Sequence, residues 1–167
     1  MSFWNLPVRL IPRNWISRLC WTLILLVIMS LVFLSLFSRV PDHLGVHDGR
    51  LAPCPATPNC VCTQAEDAEH HIEPVTFLGS RADAISRLKR IVLSFPRSKV
   101  IVESDDYLHF EFRSALFRFV DDVEFLIDEE SKLIHFRSAS RVGHGDLGVN
   151  RHRMNLIREA WKGMPHS

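Results

Sequence analysis

The segment FVDDVEFLIDEESKLIHFRSAS, residues 119–140, decides the fold because it has the pattern of a β-hairpin. Acidic and apolar residues alternate along its first half, and the polar run 129–132 separates it from a second apolar stretch. These features predict antiparallel strands over 119–128 and 133–140. We expect the register that places aromatic residues together and opposite charges together. That register sets Asp128 opposite Leu133, Phe125 opposite Phe136 and Glu124 opposite Arg137.

Other elements surround this hairpin. Turn residues between two alternating runs predict an earlier hairpin over 99–103 and 107–114. Apolar spacing predicts helices over 80–95 and 149–162, the first capped by Ser80. The order helix, four strands, helix predicts an α+β domain, with a four-stranded antiparallel sheet and a helix before and after it.

An uncharged apolar run precedes the domain and extends from Leu19 to Phe37. About twenty such residues can cross a bilayer once as a helix. The positive-inside rule predicts a cytoplasmic N-terminus, because three arginines precede the run and only Arg39 follows closely. We therefore predict a single-pass inner-membrane protein, anchored in the lipid bilayer by this helix, with its domain in the periplasm. A cleaved signal peptide is the alternative, but the small-residue cleavage site it requires does not follow the run.

Domain organisation and charge limit the classes of function. The predicted parts are a cytoplasmic segment 1–18, a transmembrane helix 19–37, a tether 38–52, a periplasmic α+β domain 53–163 and a tail 164–167. The chain has 20 Lys and Arg against 19 Asp and Glu, a formal net charge of +1. Binding to nucleic acid through its phosphates requires a strongly basic face. We therefore predict no nucleic-acid partner.

The segment after the predicted tether is rich in proline and cysteine, which predicts a linked loop and excludes a regular helix. In an oxidising compartment Cys54 and Cys60 would pair, and we interpret the bridge as a structural staple. Cys62 offers an alternative, because Cys-x-Cys with His70 and His71 nearby could bind a soft metal such as copper. No histidine has the spacing of a recognised metal motif, so we predict no metal and no cofactor.

Arginines crowd the glycine-rich stretch 137–153, between the last strand and the last helix. Turn amides and a helix N-terminus attract anions, and arginine binds them in a fixed fork. We therefore predict an anionic-ligand site formed by Arg137, Ser138, Ser140, Arg141, Asp146, Asn150 and Arg151. The alternative is a structural turn whose arginines neutralise nearby acids. Asp146 or Asn150 could also cap the helix, and a cap uses the amides that an anion would use.

Three acids on the preceding strand, Asp121, Asp122 and Glu124, are predicted to support this site. Paired carboxyls can perform acid–base work when their environments separate their pKa values. Because these acids alternate with apolar residues along the strand, we prefer the interpretation that Asp122 and Glu124 lie on an open polar face of the sheet and pair with arginines. The expected cluster joins Asp122, Glu124 and Asp146 with Arg137, Arg141 and Arg151.

Separate motifs in this domain resemble one known family. The motifs are CPATPNCV at 54–61 and FRFVDDVE at 117–124, the second continuing through RSASRVG at 137–143 to DLGVNR at 146–151. Together they resemble domain-of-unknown-function family 1499. The resemblance implies no established activity. It implies a mostly bacterial family in which the domain often follows a signal or membrane segment of the same chain. Cys62 and Gly145 stand where the family pattern has serine.

These observations favour a membrane-anchored periplasmic domain that binds an anionic ligand or partner at the arginine-rich strand-turn-helix and performs no catalysis. Two other interpretations stay open. One is an enzyme that uses the acidic and arginine cluster on the sheet, and the other is a structural or assembly protein at the membrane.

Overall fold

A computed structural model describes residues 14–36 and 39–163. The predicted tail 164–167, residues 1–13 of the predicted cytoplasmic segment, Phe37, and Ser38 at the start of the predicted tether lie outside the described residues. The helices are α1 (Asn14–Leu36), α2 (Arg81–Ser94) and α3 (Val149–Gly163). The strands are β1 (Val46–His47), β2 (Arg50–Leu51), β3 (Cys60–Cys62), β4 (Val75–Thr76), β5 (Ser98–Glu103), β6 (Tyr107–Arg113), β7 (Val120–Asp128) and β8 (Leu133–Ser140).

The hairpin of β7 and β8 has the register that its sequence predicts. Asp128 lies opposite Leu133, and Phe125 lies opposite Phe136. Glu124 lies opposite Arg137, so the expected match of aromatic residues and of opposite charges is confirmed. The earlier hairpin, β5 with β6, is also antiparallel.

The predicted four-stranded sheet is wrong, because the main sheet has six strands and a second sheet has two. The order of strands in the main sheet is β3-β8-β7-β6-β5, with β4 also paired to β8. Strands β3 and β4 have three and two residues, too few to show the alternation by which strands are recognised in a sequence. They depend on the exposed edge of β8 for their hydrogen bonds, which a local sequence pattern does not reveal. The segment predicted as a tether contains the small sheet of β1 and β2.

Helices α2 and α3 pack on one face of the main sheet and enclose the core. Val123 and Phe125 point from β7 into this core, where the Phe125 ring lies 5.9 Å from that of Phe110, edge to face. Ser80 caps α2 as expected, since its side chain accepts the Asp83 N–H. Because neighbouring side chains of a strand point to opposite faces, the polar residues between these core positions lie on the other face.

The predicted transmembrane helix at Leu19–Phe37 is wrong. Helix α1 begins at Asn14 and contains Arg18, and Phe37 is outside the described residues. Within residues 14–36 and 39–163 no helix is long and apolar enough to cross a membrane. This finding overturns the predicted single-pass inner-membrane localisation and the periplasmic placement that depended on it.

Candidate functional site

The face of the main sheet that points away from α2 and α3 carries buried charged side chains, and we call it the polar face. Strands β6, β7 and β8 each contribute residues to it at alternate positions. Its buried charged and titratable members include His109, Glu111, Asp122, Glu124, Arg137 and Arg141.

Arg141 joins two acids of the polar face. Its Nε donates to Asp122 Oδ2 at 2.8 Å, and its Nη2 donates to Asp122 Oδ1 at 2.7 Å and to Glu111 Oε1 at 2.5 Å. His109 Nε2 lies 2.7 Å from the same Asp122 Oδ1. Burial alone would raise the pKa of Asp122, but hydrogen bonds from Arg141 and His109 outweigh it and lower that pKa. The pKa of Glu111 is lowered too, because hydrogen bonds from Arg141 and Arg113 outweigh its burial.

Glu124 is completely buried and accepts three hydrogen bonds. The Gly45 N–H and the Tyr107 hydroxyl each donate to Oε1 at 2.8 Å, and Arg137 Nη1 donates to Oε2 at 3.1 Å. Burial, together with the nearby negative charge of Glu124, raises the pKa of Tyr107. The hydrogen bond from Gly45 joins the segment that directly precedes β1 to the polar face.

Arg137 has an unused donor. Its side chain is 3% exposed, and Nη1 is occupied by Glu124. Its Nε is buried and has no hydrogen-bond partner among the residues that the structure describes. A buried guanidinium normally has its donors satisfied, so this unpaired N–H requires an explanation.

A cavity of about 400 Å³ lies over Arg137 and Arg141, and we call it the arginine cleft. Asp122 and Ala139 contribute to its floor on the sheet. Its walls come from the N-terminal segment and the disulfide loop: Pro41, His43, Leu44, Pro53, Cys54, Pro55, Thr57 and Asn59. A concave site with a few convergent polar groups is what a small ligand requires.

A second cavity, of about 750 Å³, adjoins the arginine cleft, and His43, Pro53 and Cys54 line both. Its lining is mostly apolar and includes Leu51 and the buried thiol of Cys62. We call it the adjoining cleft. The two cavities share these wall residues and lie side by side, and we call them together the recess.

Some of the predicted site residues lie on the opposite, helix-bearing face. Asp121 accepts hydrogen bonds from Ser140 Oγ and Arg153 Nη2 there. Ser138 Oγ donates to Asn150 Oδ1 at 2.6 Å, and Asn150 Nδ2 donates to the Asn59 carbonyl at 3.0 Å. These bonds fix the start of α3 against β8, so the Ser138 and Asn150 side chains serve the packing of the helix rather than the arginine cleft.

The glycine-rich turn does not bring the whole predicted cluster together. Asp146 accepts the Gly148 and Asn150 N–H groups at 3.0 and 2.7 Å, so it caps α3 and occupies amides that an anion would use. Arg151 donates to the backbone carbonyls of Glu69 and His71. Arg137 and Arg141 lie on the polar face, but the other two residues do not join them there. Asp146 caps α3 at the turn, and Arg151 binds the loop before β4.

The cysteines behave as one bridge and one buried thiol. Cys54 and Cys60 form a disulfide with their Cα atoms 5.7 Å apart, which confirms the predicted pairing. Cys62 is free and buried, and burial raises the pKa of its thiol. His70 contacts Asp67 through Nδ1 and the Thr57 carbonyl through Nε2. Within the described residues, no three His, Cys, Asp or Glu side chains are grouped so that they could hold a metal ion.

Residues 50–161, most of the chain, match the family described as a protein of unknown function, DUF1499. The chain belongs to the DUF1499 family. No curated protein matches the chain. The DUF1499 motifs at 54–61 and 137–143 both contribute residues to the arginine cleft, the first as a wall and the second as the floor.

The structure adds residues that sequence reasoning did not select in this DUF1499 domain. His109 and Glu111 complete the charge cluster, and Tyr107 and Gly45 satisfy Glu124. The alternation of β6 already places Tyr107, His109 and Glu111 on one face. The register between β6 and β7, which sets His109 opposite Glu124 and Glu111 opposite Asp122, is the signal that would have found them.

Proposed function

We propose that this protein binds a small anionic ligand in the arginine cleft and performs no chemistry on it. The carrying observation is the buried Nε–H of Arg137, which has no acceptor in the described part of the chain. A buried donor left unpaired costs about 1–3 kcal/mol, and more when the group is charged. Nε is closed to solvent in this structure, so the guanidinium must turn for an anionic oxygen in the cleft to reach it and recover that cost. The unpaired donor favours such a ligand over a purely structural ion pair.

The proposed site differs from the strand-turn-helix that the sequence favours. At the turn, Asp146 already accepts hydrogen bonds from the amides at the start of α3. On the sheet, Arg137 and Arg141 both line a cavity of about 400 Å³. Recognition by fixed guanidinium groups is typical of carboxylate and phosphate sites. Both arginines were among the predicted ligand-binding residues, and the proposal keeps that role for them.

Two features favour binding over catalysis. Asp122 and Glu111 have lowered pKa values and stay ionised near neutral pH, so neither carboxyl is suited to act as a general acid. Thr57 lines the cleft, and its hydroxyl donates to Asn59 Oδ1. Ser140 also lines the cleft, but its hydroxyl donates to Asp121 Oδ1 on the opposite face of the sheet. A hydroxyl nucleophile needs a neighbouring base to take its proton, and these contacts are made to an amide and to an arginine-paired acid.

Anion titration of the full-length protein tests the proposal. Acetate, sulfate and inorganic phosphate are the probes, used at constant ionic strength and followed by calorimetry and by the midpoint of thermal unfolding. We expect at least one probe to bind saturably and to raise the midpoint, since a ligand that binds only the folded state stabilises it.

Two variants locate the binding. Arg137→Lys keeps a positive charge beside Glu124 but lacks the Nε donor, so it should abolish binding. Arg90→Gln removes a charge from the exposed surface of α2 and should bind like the parent protein. The proposal is wrong if no probe binds saturably, or if Arg137→Lys binds as well as the parent.

A further inference from the structure

We propose that the ligand is a monocarboxylate with an apolar body, its carboxylate on Arg137 and its body in the adjoining cleft. This inference rests on the proposed function and specifies the chemical class of ligand that the same recess takes.

The first argument is the shape of the unused donor edge. In the described residues Arg137 donates only through Nη1, to Glu124, which leaves the edge formed by Nε and Nη2. That edge carries two parallel N–H groups in one plane, and because Nε is closed to solvent in this structure, the guanidinium must turn for both to face the cleft. A planar carboxylate accepts both in the bidentate geometry that arginine forms with carboxylates.

The second argument is charge. Glu111, Asp122 and Glu124 on the polar face are matched by the guanidinium groups of Arg113, Arg137 and Arg141. The side chains of Asp122 and Glu124 are 2% and 0% exposed, so solvent screens them little. The three acids and the three arginines of this cluster balance in charge. Each negative charge that a ligand adds must lose its water beside the existing carboxylates. A monoanion adds one such charge and a dianion adds two, so the cluster favours a carboxylate over phosphate or sulfate.

The third argument is the adjacency of the two cavities. His43, Pro53 and Cys54 line both, so the body of a ligand held at Arg137 has the adjoining cleft directly beside it. Carbon atoms make up most of the exposed lining of that cleft, of about 750 Å³, with Leu51 and Ala65 among its residues, although Asp48, Glu66 and Asp67 also line it. A ligand with a charged head and an apolar body satisfies both parts of the recess.

A chain-length series on the full-length protein tests this class of ligand. Acetate, butanoate, hexanoate and octanoate are titrated by calorimetry, with octanamide as the uncharged analogue and inorganic phosphate, at a pH above its second pKa, as the dianion. Each buried methylene should tighten binding about fourfold, so octanoate should bind more than tenfold tighter than butanoate. Octanamide and phosphate should bind at least about tenfold more weakly than octanoate.

Two variants separate the head from the body. Arg137→Lys should lose octanoate binding by about tenfold or more, because the planar donor edge is gone. Ala65→Leu adds bulk at a half-buried position of the adjoining cleft and should weaken octanoate several-fold while butanoate is unchanged. Ala68→Leu is the matched control, on an exposed alanine, and should leave both affinities unchanged. The Ala65 comparison stays decisive if Arg137→Lys does not fold.

The outcomes distinguish this inference from the proposed function. Arg137-dependent binding of phosphate without carboxylate binding, or equal affinity for butanoate and octanoate, overturns the monocarboxylate class and leaves the anion site in place. Equal binding of octanamide and octanoate also overturns it. Failure of every anion to bind overturns both proposals.

Discussion

Replacing Arg141 with glutamine should be among the more damaging single changes to this domain. The Arg141 side chain is 4% exposed and makes three hydrogen bonds to two carboxylates, Asp122 and Glu111, which are 2% and 8% exposed. Removing one partner of a buried ion pair typically costs about 3–5 kcal/mol, because the other charge is left buried and unpaired. We expect the free energy of unfolding of Arg141→Gln to fall by about that amount at neutral pH.

The pH dependence of this loss identifies its cause. The folded-state pKa values of Asp122 and Glu111 are lowered, so their stabilising contribution is present above about pH 4, their ordinary range. It is lost as the pH falls below that range and through the folded-state pKa values. In Arg141→Gln the acids lack this partner, and protonation at low pH removes the buried negative charge. The difference in stability between parent and variant should therefore shrink as the pH falls below about 4.

Urea unfolding with the disulfide intact is the assay, since guanidinium salts would screen the charges under test. Arg90→Gln, on the exposed face of α2, is the control and should change stability by no more than about 0.5 kcal/mol. A loss below about 1 kcal/mol for Arg141→Gln at neutral pH would refute the reasoning, because it would equal an exposed pair. A loss that is the same at neutral and acid pH would refute it as well.

Two further predictions concern the loops. The double variant Cys54→Ser/Cys60→Ser should lose about 2 kcal/mol of stability, the chain-entropy value for so short a loop, measured by urea unfolding; unchanged stability would show that the bridge does not constrain the unfolded chain. Burial opposes protonation of His70, but the Thr57 carbonyl and Asp67 raise its pKa overall. Its contribution is therefore full below about pH 6.5 and lost as the pH rises through the raised pKa. Stability should decline over that range in the parent and less in His70→Gln, and equal slopes would contradict this assignment.

The sequence predicts the local parts of this fold well because they depend on neighbouring residues. Alternation and cross-strand pairing determine the β7–β8 register, including Glu124 opposite Arg137. The cap at Ser80 is also a local feature. The two short strands on the edge of β8 depend on partners far along the chain, so their own residues carry too little signal.

The same distinction explains the candidate site. Arg137 and Arg141 are four residues apart, so a strand places them on one face, whereas Ser138 and Ser140 lie on the other. Residues that are adjacent in the sequence around the arginine-rich turn therefore lie on opposite faces of the sheet. The single cluster in the sequence is divided into two separate hydrogen-bond networks. The walls of the cleft come from residues 41–44 and from the disulfide loop 53–59, and only the tertiary structure reveals that they lie over the arginines.

The pairing of β3 with β8 also bears on how the thiols find their partners during synthesis. A chain emerges N-terminus first, so Cys54, Cys60 and Cys62 are made well before the strand that orders them. In the absence of β8, thiol–disulfide exchange can interconvert their pairings. Once Cys62 aligns with Arg137, its thiol is buried and Cys60 is left with Cys54 as its partner. Burial of the competing thiol by the C-terminal half of the sheet therefore favours the native bridge, and a chain in which Cys62 is already paired must exchange that bond before β3 can pair with β8.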